Sequence, residues 1–447
     1  MNENNLKRNL GLFSITMLGI GATIGAGVFV LTGYAIGEAG PAVILAFALN
    51  GILALVVSVN YMELSTAMPK AGGSFFWVSE IIGKKTGFFT GWVGWFARIS
   101  AASLYAVGFG SFTENFLHSM NIIKIENLSI IISILAVLAF ILINIRGSSE
   151  TGKAESIITS IKILILIVFV GFGIVFIQGS PESASHYEPF LPQGMIGVFL
   201  AMGLTFVAFE GFEVITNTAE EARNPRKNIP RAIFLTLIVS TILYVVIAFV
   251  MIGAIEIPYN ENASSFFSKL GEFGITTTAQ NIMPDGELIL LIAGMASTAS
   301  ALNAIMFSSG RIVFAMARKK IFFPVLAKIH PKFKTPYLGI ATSGIIIIIF
   351  LNIMPLKEIA ASTSMMFLIL FSIVCVALIK FRKTNSKYNP SFRVPFVPVL
   401  PIVGIVSGIG LAILMYNVSL NAWLIVLAWC TIGVLFLVLI KKGLFDK

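Results

Sequence analysis

Long apolar stretches recur along the whole chain and are separated by short polar segments. Each stretch is long enough to cross about 30 Å of hydrocarbon as a helix that rises roughly 1.5 Å per residue. The twelve stretches are residues 11–36, 41–68, 86–112, 127–145, 155–178, 194–216, 232–256, 287–316, 336–354, 358–380, 398–416 and 422–441. No segment between them is long enough for a soluble domain, so residues 1–447 are predicted to form a single all-α domain in a lipid bilayer.

The composition agrees with a membrane location. Of the 447 residues, 57% are hydrophobic and 12% are charged, and the mean hydropathy is +0.93. A soluble domain has roughly 25% charged residues. The composition therefore excludes an ordinary soluble protein.

The net charge of +10 is explained by membrane orientation. If the N-terminus is cytoplasmic, most Lys and Arg residues fall in cytoplasmic segments, and the outer loops contain Lys124, Lys269 and Lys357. Cytoplasmic loops of membrane proteins are typically enriched in Lys and Arg. The pattern predicts a multi-pass plasma-membrane protein with both termini in the cytoplasm, and it indicates no nucleic-acid partner.

Residues that build metal or catalytic sites are scarce. Cys375 and Cys430 fall in apolar stretches, and His118, His186 and His330 fall in predicted loops. Neither a disulfide framework nor a metal site is predicted from these positions. The motifs of zinc proteases and serine hydrolases are also absent from the sequence. We therefore expect no enzyme activity, no catalytic residue and no cofactor.

The first apolar stretch contains the sequence GIGATIGAGVF at residues 19–29, with four glycines. Each glycine costs about 1 kcal/mol relative to alanine in a helix. One interpretation is close packing of a continuous helix through small residues. The alternative is an interrupted helix, whose unpaired backbone groups must line a cavity or be buried in protein.

A second candidate interruption is TFVAFEGFE at residues 205–213, where a glycine and two carboxylates interrupt the sixth stretch. The first and sixth stretches begin two successive groups of five. Interruptions at corresponding positions of two halves are the sequence pattern of a transporter site near the bilayer midplane. Because each group has an odd number of helices, the two repeats would be inverted.

The two interruptions together favour a small zwitterion as the ligand. The predicted donors are the backbone amides of Ala26, Gly27 and Val28. These amides begin a half-helix, and its positive dipole end attracts a carboxylate. The carbonyls of Thr23, Val207 and Glu210 end the preceding half-helices and are predicted to accept hydrogen bonds from an ammonium group.

A series of motifs follows the order found in a known family. The motifs are GIGATIGAGVFVLTG (19–33), GPA (40–42), YMELSTAMPKAGGS (61–74), NIRG (144–147), TSIK (159–162), FVAFEGFE (206–213), AEEARNPRKNIPRAI (219–233), RIVFAMARKKIFFP (311–324) and KTP (334–336). Through this series the chain resembles the amino acid-polyamine-organocation transporters. The resemblance implies a leucine transporter-like fold, with two inverted five-helix repeats at residues 11–178 and 194–380 and two further helices at 398–441.

The resemblance also implies a substrate site. It places the substrate carboxylate at Gly25, Ala26 and Gly27. It places the amine site and gate at Phe206, Val207, Phe209, Glu210 and Gly211. In this sequence Val207 stands where several family members have a large aromatic residue, and Glu210 stands where many have an apolar residue.

Lys162 is a cation inside an otherwise apolar stretch. In proton-coupled members similar to this chain, a lysine of the fifth span takes the place of a sodium ion. The resemblance implies that Lys162 bridges carbonyls near residues 19–22 to the hydroxyls of Ser297 and Ser300, and releases them on deprotonation. The alternative follows from depth: Lys162 lies roughly 8 Å into its span and is within reach of the cytoplasmic interface by snorkelling.

Arg98 lies near the middle of the third stretch, where an unpaired guanidinium is costly. We predict an ion pair with Glu210. The alternatives are that Arg98 binds an acidic substrate or that Glu210 binds a basic one. Glu213 corresponds to a glutamate that senses protons in exchangers of the family, or else it is a buried structural carboxylate.

These observations predict a secondary active transporter that works by alternating access and imports an amino acid together with a proton. One alternative is an exchanger of an amino acid for its amine within the same fold. Another is a transporter-like sensor or channel.

Overall fold

A computed structural model describes residues 10–69, 72–122, 125, 127–147, 151–219, 221–258, 260–384 and 389–441. Within these ranges the regular structure is helical, and the β-type pairing is limited to an isolated parallel bridge between Leu10 and Ala222. The chain is therefore an all-α protein, as predicted.

Seventeen α-helices are labelled in chain order. The first nine are α1 (Leu12–Thr23), α2 (Ala26–Ala39), α3 (Val43–Ala67), α4 (Gly73–Ile81), α5 (Lys84–Ser119), α6 (Leu128–Arg146), α7 (Thr151–Gly179), α8 (Gly194–Thr205) and α9 (Gly211–Asn217). The others are α10 (Pro225–Gly253), α11 (Ala263–Leu270), α12 (Gly274–Ile282), α13 (Gly286–Arg318), α14 (Tyr337–Ile353), α15 (Leu356–Thr384), α16 (Val399–Leu414) and α17 (Leu420–Lys441).

Each predicted apolar stretch overlaps one helix or a divided pair of helices. Within the described residues, nine helical segments are long and apolar enough to cross a membrane, and α1 and α14 are shorter apolar helices. The short helices α4, α11 and α12 lie between the predicted stretches. They contain too few residues to produce a periodic signal in the sequence.

The helices differ in how far the bundle buries them. In the apolar windows of α6 and α17, 17% of residues are buried, whereas the buried share is 72% in α15 and 78% in the segment that spans α8 and α9. Exposed apolar side chains on the outer helices include Leu135, Leu164 and Leu435. In water such a surface would be a large apolar patch. This outer surface is suited to contact with lipid. The more buried segments, which include the divided pairs of helices, lie in the centre of the bundle.

Contacts between helix ends define two faces of the bundle. At the N-terminal face, Leu10 exchanges backbone hydrogen bonds with the loop before α10, and Arg382 donates to the Glu63 carboxylate at 2.7 Å. At the opposite face, Lys357 forms an ion pair with Glu38. Tyr34 there donates to Glu272 at 2.6 Å, in the segment between α11 and α12. Both ends of the central helices are therefore tied together by polar contacts.

Candidate functional site

The first span is divided between Thr23 and Ala26. Ile24 has φ −81° and ψ 61°, and Gly25 has φ −96° and ψ −136°, so neither residue continues the helix. The glycine-rich motif therefore interrupts the helix, and the interpretation as a continuous helix with close packing is wrong. Gly25 precedes α2 without any side-chain cap, which leaves the amides of the first turn of α2, including those of Gly27 and Val28, without a side-chain acceptor.

The sixth span is divided over residues 205–211. α8 ends at Thr205, a single 3-10 turn runs over Phe206–Phe209, and α9 begins at Gly211. Side chains from neighbouring helices hold this segment. The Val207 amide donates to Ser364 Oγ at 3.1 Å, and Asn50 donates to the Met202 carbonyl at 2.8 Å.

The two interruptions pack directly against each other, backbone to backbone. A Cβ added to Gly27 would collide with the Cβ and Cα of Ala208. A Cβ added to Gly211 would collide with Thr23 and with the carbonyl of Gly19. Glycine is required at both positions because only a hydrogen side chain permits this approach.

Tyr244 of α10 connects the interruptions. Its hydroxyl lies 2.5 Å from the carbonyl oxygen of Thr23 and 3.1 Å from that of Ala208. The side chain is fully buried, and its ring packs edge-on against Phe209 with 5.3 Å between ring centres. The single O–H donor of Tyr244 therefore lies within hydrogen-bond distance of carbonyls from both divided helices.

The carbonyls predicted to be free are already hydrogen-bonded. The Thr23 carbonyl accepts from Tyr244, the Val207 carbonyl accepts from the Glu210 amide at 3.3 Å, and the Glu210 carbonyl accepts from the Glu213 amide at 2.9 Å. The prediction of unpaired carbonyls is therefore wrong in this conformation, because the 3-10 turn and Tyr244 supply donors. Each carbonyl retains one further lone pair for a ligand.

The remaining predicted gate residues are packed in the core. Phe206, Val207 and Phe209 are all buried, and Phe206 lies against Phe371 with 5.9 Å between ring centres. Val207 provides no aromatic ring at its position. Tyr105 lies on the other side of the site, with its Cζ atom 3.6 Å from the point where a Cβ on Gly25 would stand.

Lys162 is buried in the bundle and does not snorkel. It is 1% exposed, and its Nζ lies 3.4 Å from the Gly21 carbonyl oxygen and 3.3 Å from that of Ile24. Ser297 of α13 donates to the same Ile24 carbonyl at 2.9 Å. Lys162 and Ser297 therefore meet at the end of α1. The Gly21 carbonyl lies within the predicted range of residues 19–22, whereas the carbonyl that both side chains share is that of Ile24, outside this range.

Ser300 has a different partner from the one predicted. Its hydroxyl donates to both carboxylate oxygens of Glu155, at 3.0 and 3.1 Å. Glu155 lies on α7, two turns before Lys162, and interacts with it electrostatically. The stretch around Lys162 is therefore not otherwise apolar, since it includes Glu155, and Ser300 is bonded to that acid rather than to Lys162.

The predicted pair between Arg98 and Glu210 does not form. Arg98 instead lies 2.8 Å from the Oε2 atom of Glu213, one helical turn further along. Its Nε donates to Ser308 at 3.0 Å and its Nη1 donates to the Gly94 carbonyl at 2.9 Å. Ser74 donates to the other oxygen of Glu213 at 3.1 Å. Each of the three guanidinium nitrogens thus has one protein partner.

One carboxylate oxygen of Glu210 accepts a hydrogen bond, and the other has no hydrogen-bond partner among the described residues. Its Oε1 accepts from the Tyr105 hydroxyl at 2.9 Å. Its Oε2 is buried and has no hydrogen-bond partner among the described residues. The side chain is 3% exposed. A buried carboxylate oxygen without a partner is costly, so this carboxyl group is suited to binding a proton or a cation.

Four contributors were not predicted from the sequence. Tyr244, Tyr105, Ser364 and Glu155 lie on helices whose facing depends on tertiary packing. An isolated tyrosine or serine in an apolar span carries no motif. Glu155 could have been found, since it lies seven residues before Lys162 and a spacing of seven places two residues on one helix face.

Comparison with known proteins gives one family along nearly the whole chain. The family described as "Amino acid permease" matches residues 10–438. A methylthioribose transporter of Bacillus subtilis (strain 168) is 31% identical, and the aligned region covers 100% of this chain and 96% of that protein. A branched-chain amino acid permease of the same organism is 29% identical, with 96% and 92% covered.

A serine/threonine exchanger of Bacillus subtilis (strain 168) is 28% identical, with 90% of each chain covered. These relatives are named as a transporter, a permease and an exchanger, and none is named as an enzyme. The match to the family extends over far more than half of the sequence. The chain therefore belongs to the amino acid permease family, within the amino acid-polyamine-organocation superfamily of transporters.

Proposed function

We propose that this protein is a proton-coupled symporter that imports an amino acid across the plasma membrane by alternating access. The observation that carries the proposal is the meeting of Lys162 and Ser297 at the carbonyl of Ile24, where the first span is interrupted. A titratable cation at this position links the protonation state of the protein to the shape of the substrate site.

The proposed architecture has twelve membrane crossings with both termini in the cytoplasm. Residues 11–178 and 194–380 form the two inverted repeats, and residues 398–441 add two helices. The divided spans begin each repeat. Their contact through Gly27 and Gly211 supports a site shared between repeats, as expected for transporters with interrupted helices.

The substrate carboxylate binds at the uncapped amides of residues 25–28, where the positive end of the α2 dipole stabilises an anion. The substrate amine binds at the carbonyls of the 3-10 turn of residues 206–209. Divided helices and buried polar groups at this depth are expensive unless they contact a ligand or water. Both features support a polar solute as the cargo.

Coupling follows from the contacts of Lys162. When protonated, its ammonium group holds the end of α1 through two carbonyls. Deprotonation removes the positive charge that strengthens both hydrogen bonds, which weakens the tie between α1 and α7. We assign Glu213 a second, regulatory place in coupling, because its ion pair with Arg98 joins α9 to α5.

Uptake by purified protein in liposomes tests this proposal. An imposed inward proton gradient is expected to drive accumulation of a radiolabelled amino acid, and Lys162→Ala is expected to abolish the dependence on the gradient. Lys269→Ala is the matched control, since Lys269 is an exposed lysine paired with Glu261. Gradient-driven uptake by Lys162→Ala that equals the wild-type uptake would refute coupling at this lysine.

Exchange is the second candidate function, and the similarity to a serine/threonine exchanger favours testing it. Uptake into liposomes preloaded with unlabelled amino acid distinguishes exchange from proton-coupled symport. Counterflow without any proton gradient, together with no net uptake into empty liposomes, identifies an exchanger. Absence of accumulation under every condition identifies a sensor or channel. Methylthioribose belongs in the competition panel because a relative of this chain is named for its transport.

A further inference from the structure

Three charged side chains lie at the centre of the bundle, one guanidinium and two carboxylates. They are Arg98, Glu210 and Glu213, and each is at most 4% exposed. Arg98 is paired with Glu213. The third side chain, Glu210, has no cationic partner of its own among the described residues. The centre therefore contains more carboxyl groups than cationic groups.

The pairing of Arg98 decides which charge is available to a ligand. All three of its nitrogens have partners: Glu213, Ser308 and the Gly94 carbonyl. An acidic substrate would have to displace Glu213, which is also held by Ser74. Removing the partner of a buried charge is strongly unfavourable. The site is therefore unsuited to a second negative group on the substrate.

Glu210 presents the opposite situation. Its Oε1 is fixed by Tyr105, and its Oε2 has no partner in the described part of the chain. Tyr105 also lies beside Gly25, where α2 begins. The free oxygen thus stands in the interruption of the sixth span, next to the amides assigned to the substrate carboxylate.

Lys162 does not supply the missing cation. Its ammonium group is directed to the carbonyls of Gly21 and Ile24, and the carboxylate that interacts with it is Glu155 on its own helix. Tyr244, the polar side chain that α10 directs to the interruptions, is a hydroxyl donor to carbonyls. None of these groups pairs with Glu210, which leaves its Oε2 atom available to a positive group on the ligand.

From these contacts we infer that Glu210 binds a second positive charge on the substrate, so that the cargo is a basic amino acid or a diamine. The inference rests on the proposed function. The substrate carboxylate, or in a diamine the first amine, lies at the divided helices, and the distal ammonium or guanidinium pairs with Glu210 Oε2. The charged pair gives the buried Oε2 atom of Glu210 a partner.

Competition against uptake of a radiolabelled amino acid tests the inference. Lysine, ornithine, arginine and putrescine are compared with leucine, serine and methylthioribose, and thermal shifts of the purified protein give a parallel measure of binding. Lysine is expected to compete better than leucine. In Glu210→Gln, the affinity for lysine relative to leucine is expected to fall roughly 30-fold or more, the loss typical of removing one member of a buried charge pair.

Two further variants distinguish the effect of the Glu210 charge on binding from an effect on folding. Glu210→Asp keeps the charge and is expected to retain part of the lysine preference. Glu287→Gln changes a carboxylate near the opposite face, where Glu287 accepts from Ser119, and is expected to leave the preference as in the wild type. A Glu210→Gln protein that keeps the lysine preference but loses gradient dependence would instead identify Glu210 as a proton site and overturn the inference.

The outcomes also distinguish this inference from the proposed function. Accumulation of neutral amino acids without competition by lysine, arginine or putrescine overturns the basic substrate and leaves amino acid symport standing. A thermal shift with lysine, lost in Glu210→Gln, without accumulation of any solute supports the Glu210 subsite and overturns transport.

Discussion

The hydroxyl of Tyr244 is the single side-chain group that contacts backbone carbonyls from both interruptions among the residues described above. Substitution with phenylalanine keeps the ring contact with Phe209 and removes the donor. The carbonyls of Thr23 and Ala208 then lose a buried partner. Loss of a hydrogen bond of this kind costs about 1 kcal/mol, and more when the acceptor stays buried.

We therefore expect Tyr244→Phe to lower both the melting temperature and the substrate affinity of the purified protein. Tyr187→Phe is the matched control, since Tyr187 donates to the Phe249 carbonyl at 2.8 Å outside the site. The control is expected to keep the substrate affinity. Equal affinities in both variants would mean that the Tyr244 hydroxyl does not shape the site.

At the residue scale, the sequence predicted the importance of polar side chains better than their partners. Lys162, Arg98, Glu210 and Glu213 stand out because charge is rare in apolar spans. Their pairing was not predictable, because a carboxylate three residues further along the chain lies on nearly the same face of a helix. The tertiary position of α5 selects Glu213 over Glu210 as the partner of Arg98.

At the element scale, glycine governs how closely the divided helices approach. Gly27→Ala would place a methyl group against Ala208. Overpacking of this kind costs about 1–3 kcal/mol. If the cost falls on the substrate-bound state, we expect affinity to decrease about 5- to 150-fold. Competition or thermal-shift titration of the purified variant measures the decrease.

Gly171→Ala supplies the control for this prediction. Gly171 lies inside α7, and a Cβ added there meets no atom within 4 Å. Alanine is favoured over glycine in a helix by about 1 kcal/mol, so the control is expected to be at least as stable as the wild type and to keep its affinity. A Gly27→Ala protein that resembles the control would contradict the close approach of the two interruptions.

The sequence predicted the elements well where their signal was strong. Apolar length predicted the long helices, and glycine in corresponding spans predicted both interruptions. The form of the second interruption was not predictable: residues 206–209 continue as a 3-10 turn, and its carbonyls stay bonded. The helices α11 and α12 were missed because their helicity depends on packing against α2 and α13 and on a capping box at Asn262.

At the scale of the whole molecule, polar contacts close the bundle at both faces. Alternating access requires that one set of contacts breaks while the other persists. Lys357→Ala removes the ion pair with Glu38. The Lys357 side chain is 38% exposed and the Glu38 side chain is 19% exposed. Partly exposed pairs contribute about 0.2–1 kcal/mol. We therefore expect the opposite face to open about two- to fivefold more often in this variant.

Cysteine labelling in detergent measures this opening. Ser111, 8% exposed beneath Glu272, is replaced by cysteine after Cys375 and Cys430 are changed to alanine. Lys357→Ala is expected to speed its reaction with a maleimide about two- to fivefold. Lys269→Ala, on the same face, is expected to leave the rate unchanged. Equal rates in both would show that the Lys357 pair does not restrain this face.

The shared hydroxyl of Tyr244 has a consequence for the unloaded protein. A carrier that accumulates its cargo has to return to its starting conformation without cargo bound, whereas an obligatory exchanger returns only with cargo bound. Tyr244 joins the two divided spans through the protein's own atoms. We expect the Tyr244 contacts to allow this return step without cargo. Net import, rather than obligatory exchange, is then the expected transport mode of this protein.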